Sequence, residues 1–288
     1  MAHRLLSRLA LVVGAVLLAS TSVPSYASHP TAGYALAEER SSAAVTPVGV
    51  PGRWRLVFSD EFGGTRLDLD KWRPNWLAGS DREVTKPVNS AEIAAYDPRQ
   101  VRVARGSLRL RAVRRDIRDN RGRRYQYASG LVESYHDYQF RYGYAEARMF
   151  LAANTDPSLG DVGSCGPNWP AFWMNGENHP QDGEIDVMEC LSDDDVAWHY
   201  WWAGGTNGGY PDRWKGSMPG GGGWHTFGVD WRPGRLTFYY DGRRVGTHTR
   251  GVTGSPHFLI LNHGISGPLV KVPATLKVDY VRVWKTRR

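Results

Sequence analysis

Three carboxylates, Glu184, Asp186 and Glu189, stand within six residues of a run that otherwise has the composition of a β-strand. Carboxyls this close can act as nucleophile, general acid and general base, because neighbouring negative charges raise the proton affinity of at least one of them. Side chains alternate between the two faces of a strand, so Glu184 and Asp186 share one face. Glu189 stands at an odd offset and would point to the apolar face, unless a β-bulge near Val187 and Met188 accommodates one extra residue.

With such a bulge, the three acids line one face and could cleave a glycosidic bond. The α-carbons of Glu184 and Glu189 would lie roughly 13 Å apart. Leaning side chains would bring their carboxyls to about 5–5.5 Å, the spacing of a retaining glycosidase. Aromatic residues flank the acids at 169–174 (WPAFWM) and 199–202 (HYWW), and flat rings of this kind stack on sugars. The alternative is that the acids form only a solvated face of a sheet.

Short β-rich runs, separated by glycine, proline and aspartate, follow one another from residue 51 onward with almost no helical periodicity. They predict strands at Trp54–Phe58, Ser107–Val113, Tyr144–Phe150, Gly183–Met188, Ala197–Trp202, Thr226–Trp231, Arg235–Tyr240, Phe258–Asn262 and Leu276–Trp284. The dipeptide Asp241-Gly242 predicts a hairpin turn. Many strands without intervening helices favour two antiparallel sheets packed face to face.

The segment from Trp169 to Glu189 resembles the catalytic region of family 16 glycoside hydrolases, in the form typical of laminarinase-like endo-β-glucanases. Other segments typical of the family follow in the same order, and the resemblance covers residues 51–288. These segments are 54–62 (WRLVFSDEF), 106–110 (GSLRL), 142–148 (YGYAEAR), 224–231 (WHTFGVDW) and 278–284 (VDYVRVW). The resemblance implies an all-β fold, a β-jelly-roll sandwich of two antiparallel sheets whose concave sheet forms the substrate cleft.

The resemblance also implies roles for single residues. Glu184 matches the nucleophile, Asp186 the assisting acid and Glu189 the acid/base of a double displacement. The residues that match substrate-binding positions are Trp169, Trp173, His199, Trp201 and Asn89. For the first two tryptophans the alternative is core packing, and for the histidine a structural role. Adjacent residues in a strand point to opposite faces, so either Trp201 or Trp202 can face the substrate, but not both.

No cofactor is required for this chemistry. Members of the family often carry a structural calcium on the convex side, which implies a site at Asp279 with backbone oxygens of Gly106 and Glu61. The sequence itself contains no calcium-binding loop, and its histidines lack metal-ligand spacing. A structural calcium is therefore an expectation from the resemblance alone.

The beginning of the chain reads as a secretory signal peptide over residues 1–27, with a positively charged start, an apolar run and a cleavage site ending at Ala27. The apolar run is too short for a membrane span. Residues 28–50 have the composition of a linker, and residues 51–288 form the predicted catalytic domain. We expect a secreted monomer without a membrane span. Cys165 and Cys190 are the two cysteines of the chain, and a disulfide between them is expected in an oxidising compartment, with two buried thiols as the alternative.

Positive charge is concentrated in one place. The chain has a formal net charge of +7, and eleven arginines lie between Arg99 and Arg124. They alternate partly with apolar residues, which predicts a hairpin with a solvated arginine face. The alternative is attraction to an anionic polymer, such as an acidic polysaccharide or a teichoic-type cell-wall component. Nucleic acid is not expected as a partner, because no recognised binding fold accompanies the arginines and the chain is expected to be exported.

These patterns predict a secreted retaining endo-β-glycosidase that hydrolyses β-1,3- or mixed β-1,3/1,4-glucan. Residues 263–267 (HGISG), which follow Asn262, depart from the family pattern. Hydrolysis or transglycosylation of another polysaccharide, such as a galactan or an acidic exopolysaccharide, is therefore an alternative. A carbohydrate-binding protein without catalysis is a second alternative, which the presence of all three acids disfavours.

Overall fold

A computed structural model describes residues 45–151, 168–191, 195–203, 212–217, 222–267 and 270–287. In these ranges the chain forms β-strands and one short 3-10 helix at Pro98–Gln100. The strands are β1 (Trp54–Asp60), β2 (Ala94–Tyr96), β3 (Val101–Val103), β4 (Leu108–Arg118), β5 (Arg124–Ser129), β6 (Leu131–Glu133), β7 (Gln139–Phe140), β8 (Gly143–Leu151), β9 (Trp169–Gly176), β10 (Glu184–Leu191), β11 (Asp195–Trp202), β12 (Asp212–Ser217), β13 (Gly223–Arg232), β14 (Arg235–Tyr240), β15 (Arg243–His248), β16 (His257–Gly264) and β17 (Ala274–Thr286).

All nine predicted strands are present, as β1, β4, β8, β10, β11, β13, β14, β16 and β17. The predicted hairpin turn is also confirmed, since Asp241 and Gly242 connect β14 to β15 with φ angles of 47° and 73°. Positive φ at both central residues matches the right-handed twist of the flanking strands. The predicted strands did not include the two- or three-residue strands β2, β3, β6 and β7 or the six-residue strands β5, β12 and β15. They also did not include the eight-residue β9, whose residues are almost all apolar and do not alternate.

The strands build two sheets. The ten-stranded sheet has the order β15-β14-β13-β8-β17-β4-β5-β2, with β1 beside β17 and β3 beside β4. The seven-stranded sheet has the order β12-β11-β10-β9-β16-β6, with β7 beside β16. Neighbouring strands are antiparallel except β2 and β5, which run parallel. The expectation of purely antiparallel sheets is therefore corrected at one edge.

The main apolar core joins inward-facing residues of both sheets. Leu108 and Val281 of the ten-stranded sheet belong to the same buried cluster as Ile185 and Leu259 of the seven-stranded sheet. Trp198 of β11 stacks on Phe238 of β14, with ring centroids 4.2 Å apart. Strand β10 therefore has one face fixed in the core, and its other face is available for a site.

The packed part of the chain begins earlier than the sequence predicted. Residues 45–50 fall in the predicted linker, yet Val50 is buried in a cluster with Trp54 and Trp284. The carbonyl of Val45 accepts a hydrogen bond of 2.7 Å from Nε1 of Trp284. The domain therefore starts at or before residue 45 and not near Pro51. These contacts involve backbone groups and one valine side chain, so no periodic sequence pattern predicts them.

Several predictions concern residues outside the described ranges. They are the signal peptide at 1–27, the linker up to residue 44 and the cysteine at position 165, so the predicted disulfide of Cys190 remains a prediction. In the ranges that the structure describes, no helix is long and apolar enough to cross a membrane.

Candidate active site

The predicted β-bulge in β10 is confirmed by the register of its two neighbours. Against β9, Asp186 pairs with Trp173 and Met188 pairs with Phe172, so two steps of β10 oppose one step of β9. The pairing with β11 shifts in the same interval, between Asp186 and Glu189. One extra residue of β10 is thus accommodated between the second and the third acid.

The bulge separates the apolar residues from the acids. Val187 and Met188 are consecutive, and both are fully buried in the core. Glu184, Asp186 and Glu189 all line one cleft on the opposite face of the seven-stranded sheet. The odd offset of Glu189 is therefore compensated, and the three carboxyls face the same space.

The cleft has a volume of about 490 Å³, which is within the usual range for a ligand site. One wall is aromatic. The rings of Trp76 and Trp173 lie 5.5 Å apart, and those of Tyr135 and Phe258 lie 5.0 Å apart. Sequence reasoning found Trp173 and missed the other three, because they come from distant parts of the chain. Trp76 and Tyr135 are partly exposed and offer flat apolar surface to a sugar ring. Trp173 and Phe258 are only 6% and 2% exposed and belong to a buried cluster, as the core-packing alternative for Trp173 expects.

Glu189 is held from two sides. Nε1 of Trp169 donates a hydrogen bond of 2.9 Å to Oε1 of Glu189. Nδ1 of His199 lies 2.5 Å from Oε2 of Glu189, although neither ring nitrogen of His199 has an aligned hydrogen-bond partner in the described part of the chain. The His199 side chain is 1% exposed and lies beneath the acid, so it contacts the carboxylate and not the open cleft.

Asp186 lies between the two glutamates and is buried. Nε1 of Trp201 donates a hydrogen bond of 3.0 Å to Oδ2 of Asp186. Burial raises the pKa of Asp186 well above its usual range, and the negative charges of Glu184 and Glu189 raise it further. Asp186 therefore retains a proton when other carboxyls have lost theirs, and this removes one negative charge from the middle of the group.

Glu184 has a partner that the sequence did not indicate. Nε2 of His179 lies 3.1 Å from Oε2 of Glu184, and the hydrogen bond to this carboxylate raises the pKa of His179. His179 lies in the turn between β9 and β10. Apart from its closeness to Glu184 in sequence, no pattern identifies it as a residue of the site. A protonated His179 places a positive charge beside the first acid.

A chain of hydrogen bonds runs along the aromatic wall. Nε1 of Trp173 donates to Oδ1 of Asn262 at 2.9 Å, and Nδ2 of Asn262 donates to the hydroxyl of Tyr96 at 2.9 Å. That hydroxyl donates to Oε2 of Glu92. Burial raises the pKa of Glu92 to about 7. Asn89 lies at the cleft as predicted, and its Nδ2 is 3.5 Å from Oε1 of Glu92.

The side chains of the two adjacent tryptophans of β11 point to opposite faces of the sheet, as alternation along a strand requires. Trp201 lines the cleft. Trp202 is buried in the core and stacks on Tyr200, with ring centroids 5.5 Å apart. The prediction that one of them at most faces the substrate side is confirmed.

The residues expected to hold calcium carry other contacts. Oδ2 of Asp279 accepts a hydrogen bond of 2.7 Å from Nη1 of Arg148. The Glu61 carboxylate accepts hydrogen bonds of 2.8 and 2.6 Å from Arg282. Gly106 lies in a tight turn with φ 67°. A calcium ion at the Asp279 carboxylate would have to displace the Arg148 guanidinium, and the calcium site remains a prediction.

In the described ranges, Asp186, Glu189 and His199 form the one group of three metal-type ligands, with donor atoms within 4.8 Å of one another. Indole N–H groups donate to both carboxylates of this group. Each of these donors occupies one of the lone pairs of its carboxylate. The side chains of Asp186 and Glu189 are therefore oriented by hydrogen bonds from Trp201 and Trp169.

Comparison with known proteins agrees with this geometry. The chain matches the family model described as "Glycosyl hydrolases family 16" over residues 89–258. Glucan endo-1,3-beta-glucosidase A1 of Niallia circulans is 25% identical over 287 residues, which cover 86% of this chain and 40% of the relative. A beta-glucanase of Acetivibrio thermocellus is 30% identical over 220 residues, which cover 76% of this chain and 55% of the relative. The chain thus spans about half of the length of these relatives.

A solved structure supports the fold assignment. The endo-beta-1,3-glucanase from Pyrococcus furiosus has a TM-score of 0.67 to this chain at 24% identity, and the match covers 84% of this chain and 99% of that one. Similarity at this level of identity concerns the fold. It confirms the predicted β-jelly-roll sandwich.

Proposed function

Because the chain belongs to family 16 of the glycosyl hydrolases, we propose that it is an endo-acting glycosidase that hydrolyses β-1,3- or mixed β-1,3/1,4-glucan with retention of configuration. One observation carries the proposal: because of the bulge in β10, three acids line a single cleft that has an aromatic wall. The relatives from Niallia circulans and Acetivibrio thermocellus are named as glucanases, which supports a β-glucan as the substrate.

In the first step of the proposed reaction, Glu184 attacks the anomeric carbon. The glycosidic C–O bond breaks as the bond to the Glu184 oxygen forms, and Glu189 gives its proton to the leaving oxygen. His179 lies against the attacking carboxylate of Glu184. Protonated Asp186 places no negative charge beside the attacking carboxylate.

In the second step, ionised Glu189 takes a proton from water, and the water oxygen attacks the same carbon. The bond to Glu184 breaks, so the sugar leaves with its original anomeric configuration. The mechanism needs about 5–5.5 Å between the Glu184 and Glu189 carboxyls. The hydrogen bond from Trp169 holds Glu189 in place for both proton transfers, and His199 lies against its other oxygen.

The substrate is tested by measuring reducing sugar released from laminarin, lichenan, agarose and chitin. We expect release from laminarin, from lichenan or from both, as oligosaccharides of several lengths, with the β-anomer formed first in an NMR time course. Release from agarose alone would support the alternative polysaccharide class. Binding to a glucan without release from any of the four would favour the non-catalytic alternative.

The roles of the acids are tested with Glu184→Gln and Glu189→Gln. Each change keeps the size of the side chain and removes a carboxylate that the mechanism needs. We expect kcat/KM on the cleaved glucan to fall at least about 100-fold for each variant. Glu177→Gln, an exposed carboxylate at the rim of the same cleft, serves as the control and should stay near wild type. Normal turnover in either of the first two variants would remove that residue from the mechanism.

We also propose that the protein is secreted as a monomer with a disulfide between Cys165 and Cys190. The signal-like pattern of residues 1–27 and the presence of two cysteines support this proposal. N-terminal sequencing of protein recovered from culture medium should begin after Ala27. Mass spectrometry after alkylation without reductant should show no modified cysteine, and light scattering should give the monomer mass.

A further inference from the structure

The outward face of the ten-stranded sheet carries a row of side chains that the cleft chemistry does not use. Strand pairing places Arg102 of β3 opposite Arg109 of β4, and Arg109 opposite Lys277 of β17. Lys277 is opposite Phe150 of β8, and Phe150 is opposite Trp224 of β13. We call these five residues the basic–aromatic row. It crosses five neighbouring strands, so it is about 19 Å long.

The three cations of the row lie side by side without a counter-charge. Directly opposite residues have Cβ atoms about 5 Å apart, and like charges in such positions destabilise a sheet. In the described part of the chain, none of Arg102, Arg109 and Lys277 has a carboxylate within 4.0 Å. A bound anion would relieve this repulsion.

The aromatic end of the row is held in place and remains accessible. Trp224 is 36% exposed. Its ring meets that of Phe150 edge to face at 5.5 Å, and the Arg148 guanidinium lies 5.0 Å from its centroid. Nζ of Lys277 lies 4.7 Å from the centroid of Phe150. These contacts fix an exposed indole beside the cations, where it can stack on a flat ligand.

Positive charge continues from the row along the β4–β5 hairpin. Arg118 is directly opposite Arg124, and the exposed arginines of this hairpin are Arg114, Arg115, Arg118, Arg121, Arg123 and Arg124. The other end of the outward face is covered by residues 45–50, which contact Trp284 and Glu146. Among the residues that the structure describes, the part of the face without such a cover is the basic part.

We propose that the basic–aromatic row binds an extended anionic polysaccharide, with carboxylate or sulfate groups on the cations and a sugar ring on Trp224. The row follows directly paired residues across five neighbouring strands on the outward surface of a sheet, which suits an extended polymer. The choice of a polysaccharide over other polyanions rests on the proposed function, whereas the binding itself is independent of the cleft. The row tethers the protein to acidic polymer without cleaving it.

The test measures binding of the intact mature protein to polygalacturonate, a carboxylated polysaccharide, by calorimetry at low and high salt. Arg102→Gln with Arg109→Gln should weaken binding about tenfold, and Trp224→Ala should weaken it by a similar factor. The matched control, Arg235→Gln with Arg244→Gln, removes the same charge from exposed arginines at the far edge of the same sheet. It should change affinity less than about twofold.

Each other outcome overturns the proposal. Absence of binding by the wild type, equal losses in the two double variants, or an unchanged affinity of Trp224→Ala would show that no site is built there. Tighter binding of single-stranded DNA than of polygalacturonate would assign the row to a different polymer. Turnover of laminarin should be the same in all variants, so failure of this proposal can be told apart from failure of the proposed function.

Discussion

Two tryptophans of β9 point into the same cleft and donate to different partners. Nε1 of Trp169 donates to Glu189, whereas Nε1 of Trp173 donates to Asn262. In the proposed mechanism, the first contact belongs to the acid that transfers protons, and the second belongs to the aromatic wall of the cleft. The same residue type would then serve chemistry at one position and binding at the other.

This difference predicts a split between kinetic constants. Trp169→Phe keeps the ring and removes the donor to a carboxylate, so kcat should fall about tenfold with KM little changed, since a hydrogen bond to a charged group contributes about 1.5–3 kcal/mol. Trp173→Phe should raise KM and leave kcat near wild type. Steady-state kinetics on the cleaved glucan measures both constants. The assignment is wrong if Trp169→Phe affects only KM.

Glu92 predicts a pH-dependent stability. Its pKa rises from 4.5 to about 7 on folding because it is buried. Between pH 4.5 and about pH 7, the folded protein therefore keeps a proton on Glu92 that the unfolded chain has lost. The free energy of unfolding falls over this range, and the contribution of Glu92 is lost as pH rises through about 7. Relative to Glu92→Gln, the wild type should lose on the order of 3 kcal/mol of unfolding free energy between pH 4.5 and pH 8.

Denaturant unfolding at several pH values measures this difference. Asp70→Asn changes an exposed carboxyl and provides the control, whose stability relative to the wild type should not follow this curve. A pH-independent difference between wild type and Glu92→Gln would mean that the Glu92 carboxyl titrates normally in the folded protein.

The sequence revealed the acids of the site better than their surroundings. Glu184, Asp186 and Glu189 are neighbours in one strand, so alternation and one bulge were enough to place them. The wall is different, because Tyr96 and Asn262 are 166 residues apart and meet only after both sheets have formed. His199 was expected near the acids, but its burial beneath Glu189 depends on packing that no local pattern specifies.

At the scale of elements, the bulge in β10 decides which residues share the acidic face. It allows Val187 and Met188 to be buried together while Glu189 still faces the cleft. Without Met188 the acids would stand at regular intervals of two, and regular alternation would keep them on the same face.

Deletion of Met188 should therefore leave measurable glucanase activity in a less stable protein. Loss of a buried methionine side chain should cost about 2–5 kcal/mol of unfolding free energy. Met188→Ala keeps the bulge and should show a similar loss of stability, so the pair separates the effect of the cavity from that of the register. A folded deletion variant no more active than Glu184→Gln would show that the spacing set by the bulge is itself required.

At the scale of the whole molecule, the all-β class followed from turn residues and alternation in the longer strands. The start of the domain could not be predicted from the sequence, because residues 45–50 contain no strand pattern. Their attachment combines the buried Val50 with two backbone contacts, from Val48 N–H to Glu146 Oε2 at 3.1 Å and from Trp284 Nε1 to the carbonyl of Val45.

A chain that begins at Pro51 should be measurably less stable than one that begins at Val45. Burial of a valine contributes about 1.5–3 kcal/mol, and the lost hydrogen bond to the buried Glu146 adds to this. For a domain of this size the Tm should fall by about 5–10 °C. Thermal unfolding of the two proteins, both active on the same glucan, measures the difference. Equal Tm values would show that residues 45–50 contribute nothing.

The cleft and the basic–aromatic row lie on the outward faces of two different sheets, and packed sheets are about 10 Å apart. One stiff polymer strand cannot follow both surfaces, so a molecule that binds polymer at both proposed sites would hold two strands at once. In a mixed gel the protein would act as a transient cross-link, with its cutting face kept at high local concentration by the strand on its back. Its rate in such a gel should then depend on the acidic component, even though that component is never cut.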